Sequence, residues 1–80
     1  MHARVFVSLK RSVLDPQGKA VRGALETLGL KGIEDVRQGK FFDLELADGD
    51  PAERGRELDS LCQKLLANPV IEDYRIEWVT

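Results

Sequence analysis

The stretch Ile33-Glu34-Asp35-Val36-Arg37-Gln38-Gly39-Lys40-Phe41-Phe42-Asp43-Leu44-Glu45-Leu46-Ala47 decides the architecture of this chain. Val36, Phe42, Leu44 and Leu46 occupy even positions, with Asp43 and Glu45 between them. Such alternation marks a half-buried strand. A two-residue turn within Gln38-Gly39-Lys40 would pair an even position with an odd one and put Val36 on the wrong face. Two arrangements keep the parity. One is a three-residue loop at 38–40 that pairs Val36 with Phe42; the other is a single uninterrupted strand. No Asn-Gly or Asp-Gly marks a tight turn here, which favours the uninterrupted strand. A strand of that length is too long for an 80-residue monomer and reaches into a second subunit.

The flanking segments supply the rest of the plan. On the N-terminal side, Ala3, Val5, Val7 and Leu9 alternate with Arg4, Phe6 and Ser8, so a strand is predicted over 3–9. Phe6 is anomalous, a large apolar side chain on the face that should be wet. Asp15 offers a helix N-cap and Pro16 fits the first helical position, where its missing N–H costs nothing. Val21, Ala24, Leu25 and Leu28 follow at helical spacing, and Gly29 can end the helix with Leu30 folding back on Leu25.

On the C-terminal side, Asp48-Gly49 marks a turn. Asp50, Pro51 and Glu53 have the form of a capping box. The second helix presents Leu58, Leu61, Cys62, Leu65 and Leu66 as one apolar stripe. Pro69 denies Asn68 the helical region, so the helix stops at an Asn68-Pro69 corner. The last strand follows almost at once, with Tyr74, Ile76 and Trp78 on one face and Asp73, Arg75 and Glu77 on the other.

The predicted order is β-α-β(-β)-α-β. It is an α+β two-layer sandwich related to the ferredoxin-like plan, with an antiparallel sheet, two helices on one face, and a long central strand shared across a dimer. The whole chain, 1–80, forms one domain.

Composition narrows the function. A formal charge of −2 argues against a nucleic-acid binder. No segment is apolar and long enough for a membrane span, and the chain opens on a strand with no signal peptide, so a cytoplasmic location is expected. His2 is the only histidine and lies at the chain's fraying end; Cys62 sits on an apolar helical face without a disulfide partner. Neither catalytic nor metal-binding residues are expected, because no set of side chains has the required spacing. Gly39-Lys40-Phe41-Phe42 is weakly similar to the aromatic strand of an RNA-binding sheet, but the acidic balance opposes it.

What remains is surface. Phe6 and Phe41 fall on the face opposite the helices, and burial against another sheet would recover roughly 1.5–3 kcal/mol each. Self-contact through Phe6, Val36, Gly39 and Phe41 is therefore expected. Lys10, Arg11, Arg37 and Lys40 border it as a polar rim.

Three spaced motifs carry a resemblance: Val7-Ser8-Leu9-Lys10 with Val13-Leu14-Asp15-Pro16-Gln17-Gly18, then Val36-Arg37-Gln38-Gly39-Lys40, and finally Cys62 through Tyr74. Together they resemble the PurS family, the small subunit of phosphoribosylformylglycinamidine synthase. The likeness covers essentially the whole chain. It implies a role in purine synthesis, where formylglycinamide ribonucleotide, glutamine and ATP give the amidine. A glutaminase subunit would release ammonia, and a synthetase subunit would use ATP and Mg2+, so no cofactor is expected in this chain. The small subunit would join the two without catalytic residues and would form a homodimer, or a tetramer if dimers pair. Docking to the large subunits would fall at the corners: Lys10, Asp15, Pro16, Gln17, Arg37, Lys40, Asn68, Pro69, Glu72, Asp73 and Tyr74. The alternative from another class is a ligand-sensing module of the ACT type, which shares the βαββαβ plan.

Overall fold

In a computed structural model, residues 1–79 are described. The elements run β1 (His2–Leu9), α1 (Pro16–Thr27), β2 (Lys40–Glu45), α2 (Pro51–Leu61), a single π-helical turn (Cys62–Leu66) and β3 (Glu72–Trp78). The three strands make one antiparallel sheet in the order β2-β1-β3. The first strand is central: Val5 and Val7 are β-branched strand formers, and with the small Ala3 they are buried on the helix side. Val5 faces Phe42 on one neighbour and Ile76 on the other.

The core is small: Ala3, Val5 and Val7 from the sheet against Leu58, Cys62 and Ala67. Phe42, Leu44, Leu66, Tyr74 and Ile76 pack around it. Every helical member comes from α2 and the π turn. The α+β class is as the alternation indicated, yet the cover over the sheet comes from the second helix, not from both. Only Gly18 of α1 is buried. Its Val21 and Leu28 are exposed, Leu28 by 83%. The chain is correspondingly elongated, 48 × 27 × 15 Å with a radius of gyration of 15.9 Å. A compact 80-residue domain would have about 12 Å.

The decisive stretch also departs from expectation. The hairpin does not form, because Phe42 pairs with Val5 and not with Val36. Nor does this chain alone build the uninterrupted strand: β2 begins at Lys40 and lies at the sheet edge, while 33–39 carry neither helix nor strand. Side-chain parity says which face a residue takes; it does not supply a neighbouring strand to pair with. The N–H of Gln38 is instead taken by Asp15, at 2.8 Å.

Local signals were mostly kept. Asp15 caps α1 by accepting from the Gly18 N–H at 2.9 Å, with Pro16 at the first position. At the other end the N–H of Leu30 reaches the Leu25 carbonyl and that of Gly29 the Glu26 carbonyl, each at 3.0 Å. Gly29 has φ 104°, which completes the expected left-handed cap. Asp50, by contrast, makes no side-chain cap bond, so the reciprocal box with Glu53 is absent. The α2 stripe is narrower than its spacing suggested. Leu58, Cys62 and Leu66 face the sheet, whereas Leu61 and Leu65 point to solvent, Leu65 with 77% exposure. For Leu65 the π turn is responsible: the Ala67 N–H bonds the Cys62 carbonyl at 2.8 Å, five residues back, and widens the helix there. Leu61 lies before it in the regular helix.

Candidate functional site

The connection from α1 to β2 is held against the end of β1 by two side chains. Asp15 is 6% exposed, and its second carboxylate oxygen takes the Gln38 N–H. Hydrogen bonds from Gly18 and then Gln38, with the Arg37 guanidinium nearby, hold its carboxyl below the usual carboxylate range. Arg37 is the counterpart. Its guanidinium donates to the carbonyls of Val13, Arg11 (3.0 Å) and Lys10 (3.4 Å), and lies 3.4 Å from the Asp35 carboxylate. One planar fork thus gathers the β1–α1 loop, a task for which its five fixed donors suit it.

Two glycines permit this approach. A methyl group on Gly18 would collide with the Val36 carbonyl oxygen, and one on Gly39 would stand 2.6 Å from that of Val7. The backbones touch where only hydrogen fits.

The result is an open cup of about 320 Å³ lined by Val7, Ser8, Leu9, Asp15, Gln17, Gln38, Gly39, Lys40 and Glu72. Gln17 and Gln38 join their amides across it at 3.2 Å. The Asn68-Pro69 corner adjoins it. Lys10 donates its N–H to Ile71 at 2.9 Å, Glu72 accepts from the Asn68 N–H at 2.7 Å, and Asn68 accepts from Val70 at 3.1 Å. Amide, ammonium and carboxylate groups therefore converge at one end of the sheet, chemistry suited to recognising another polar surface.

Of the residues proposed for docking, Lys10, Asp15, Pro16, Gln17, Arg37, Lys40, Asn68, Pro69 and Glu72 belong to this end. Asp73 opposes Ser8 on the outer face. Tyr74 is elsewhere: it is on the helix side, its hydroxyl donating to Asp59 at 2.6 Å and meeting Gln63 at 3.1 Å. Gln38 and Ser8 were not assigned to docking from sequence, although the Val36–Lys40 motif contains the first and the Val7–Lys10 motif the second.

The outer face carries the aromatic pair. Phe6 and Phe41 lie ring to ring at 5.8 Å. Arg75 covers Phe6 at 4.4 Å and Arg4 lies 5.9 Å from the Phe41 ring. Phe41 is still 58% exposed. Val36 and Gly39 border the clamp, their backbones against Gly18 and against Val7 and Ser8. His2 is not frayed, since it opens β1 opposite Glu45, and its ring bonds Asp43. Among the described residues no helix is long and apolar enough to cross a membrane.

Comparison with known proteins decides the family. The model of the family described as PurS, phosphoribosylformylglycinamidine (FGAM) synthase, matches residues 2–80. The chain belongs to the PurS family. A PurS relative from Bacillus subtilis, named as a subunit of phosphoribosylformylglycinamidine synthase, is 51% identical over 92% of this chain and 87% of its own. One of the same name from Synechocystis is 47% identical over 95% of this chain and 76% of its own.

Solved PurS structures share the architecture. That of Bacillus subtilis superposes with a TM-score of 0.81 at 47% identity, covering 95% of this chain and 94% of that one. A chain of the PurLQS structure from Thermotoga maritima gives 0.83 at 28% identity, over 95% and 94%. The PurS fold thus accounts for the three-stranded sheet and its helices.

Proposed function

We propose that this chain is the non-catalytic subunit of phosphoribosylformylglycinamidine synthase in purine biosynthesis. It joins the glutaminase and the synthetase subunits and supports passage of ammonia between them. The observation that carries the reading is the clamped cup: nine of the eleven residues assigned to docking gather at one end of the sheet, held rigid by Asp15 and Arg37. The Thermotoga relative within a PurLQS structure supports it.

The contribution is preorganisation. Ammonia released in one subunit must reach the other before it protonates and diffuses away, and a scaffold that fixes the pair raises effective concentration, an effect worth several kcal/mol. ATP and Mg2+ bind in the synthetase partner and no cofactor binds here. The subunit works in the cytoplasm, binds no nucleic acid, and self-associates as a homodimer. Its outer face, with Phe6 and Phe41, is the surface first offered to a second copy.

The test is reconstitution. Adding the chain to the two large subunits should restore glutamine-dependent synthesis, while the chain alone should show neither ATPase nor glutaminase activity. Full glutamine-dependent activity of the large subunits without it would overturn the proposal.

A further inference from the structure

We propose that the groove beside Trp78 is a second docking surface, which takes a basic segment of one large subunit with an arginine laid over the indole. The inference rests on the joining role proposed above and assigns the end of the sheet opposite the cup.

A subunit that joins two unlike partners needs two separate surfaces. The cup occupies the end of the sheet where Leu9 opposes Glu72. Trp78 opposes Ala3 at the other end, about 20 Å away along β1. The groove there measures about 580 Å³ and is lined by Met1, Asp48, Gly49, Pro51 and Trp78. Its aromatic wall is open, with Trp78 39% exposed. A tryptophan presented in a groove is among the side chains that most often anchor an interface.

Charge says which kind of partner fits. Residues 43–59, from β2 through most of α2, carry seven acidic and two basic side chains, a net of −5. Asp48 lines the groove with its side chain 95% exposed, and Asp50 makes no side-chain cap bond. The amino group of Met1 donates to the Leu46 carbonyl at 2.7 Å and to Asp48 at 3.2 Å, which holds this turn beside the indole. Carboxylates at the rim of an indole repel an acidic partner. They suit a guanidinium, which stacks on the ring through its face and donates through its edge.

The cup differs. There Lys10, Arg37 and Lys40 are offset by Asp15, Asp35 and Glu72. One end of the sheet is balanced in charge and the other is acidic, so the two partners do not exchange ends.

Trp78 is the only tryptophan, so in the isolated chain its emission reads the groove. A short oligo-arginine peptide should change that emission, and added salt should reverse the change; oligo-glutamate should have no effect. In pull-downs with the chain immobilised and both large subunits present, Asp48→Lys and Trp78→Leu should each weaken retention of one and the same subunit. The loss should be at least about 10-fold, with the other subunit spared. Asp48 lies on an exposed turn, so its reversal spares the fold, and Trp78→Phe, which keeps a ring, should retain more than Trp78→Leu. Silence of Trp78 toward oligo-arginine, full retention of both subunits by either variant, or equal loss of both in Asp48→Lys would overturn the groove assignment while leaving the joining role standing. A wild-type chain that retains neither subunit would instead overturn the joining role itself.

Discussion

The carboxylate of Asp15 and the backbone N–H of Gln38, 23 residues apart, meet at 2.8 Å. The same carboxylate caps α1 through Gly18. One side chain therefore starts a helix and fixes the connection leading to β2. Its pKa is depressed in the fold, so its contribution is complete above the unfolded-state value and fades as pH falls through the folded one. Wild type should lose stability below about pH 4, and Asp15→Asn should show a lower Tm near neutrality with a flatter loss in acid. Thermal melts across pH 2–7 check this; parallel curves for the two proteins would contradict it.

Gly18 and Gly23 make a matched pair on one helix. Gly18→Ala drives a methyl into the Val36 carbonyl and should cost about 1–3 kcal/mol in denaturant unfolding. Gly23 has nothing within 4 Å of its would-be Cβ, so Gly23→Ala should stabilise by about 0.5–1 kcal/mol. Equal signs for the two would mean that the close approach is not present in solution.

Arg37→Lys keeps the charge and loses the fork. A single ammonium cannot serve three carbonyls in the plane that the guanidinium spans. The substitution should cost about 1–2 kcal/mol. In the reconstituted complex it should lower glutamine-dependent synthesis more than synthesis from added ammonia. Equal loss with both nitrogen sources would argue against a docking role for this corner.

Cys62 is fully buried, and burial, followed by the nearby Asp59 carboxylate, pushes its thiol pKa up. Iodoacetamide should therefore modify it only as fast as the chain opens, with full reactivity in denaturant. Rapid alkylation under native conditions would show that the π turn opens locally.

Much of this was legible one short window at a time. Asp15-Pro16 and Gly29-Leu30 bracket α1 through chemistry that involves only neighbours. Alternation placed Phe6 and Phe41 on the outer face without any knowledge of pairing. What escaped was non-local or cooperative. The bond from Asp15 to Gln38 joins two segments whose approach depends on Gly18 lacking a side chain. The pattern of Leu58 to Leu66 assumes 3.6 residues per turn, and the π turn at 62–66 breaks that assumption, leaving Leu65 outside. The cap at Asp50 had the right residue types, but its side chain makes no bond there. The strand parity over 33–47 was sound for 40–45 and silent on whether a neighbour existed for the rest.

The loose attachment of α1 also bears on the lifetime of the molecule. A copy made in excess presents an uncovered amphipathic helix and a glycine-punctuated strand of backbone at 28–39, the kind of segment that quality-control proteases grip. Cellular abundance would then follow the supply of assembly mates rather than the rate of translation, and surplus copies would be cleared without dedicated regulation.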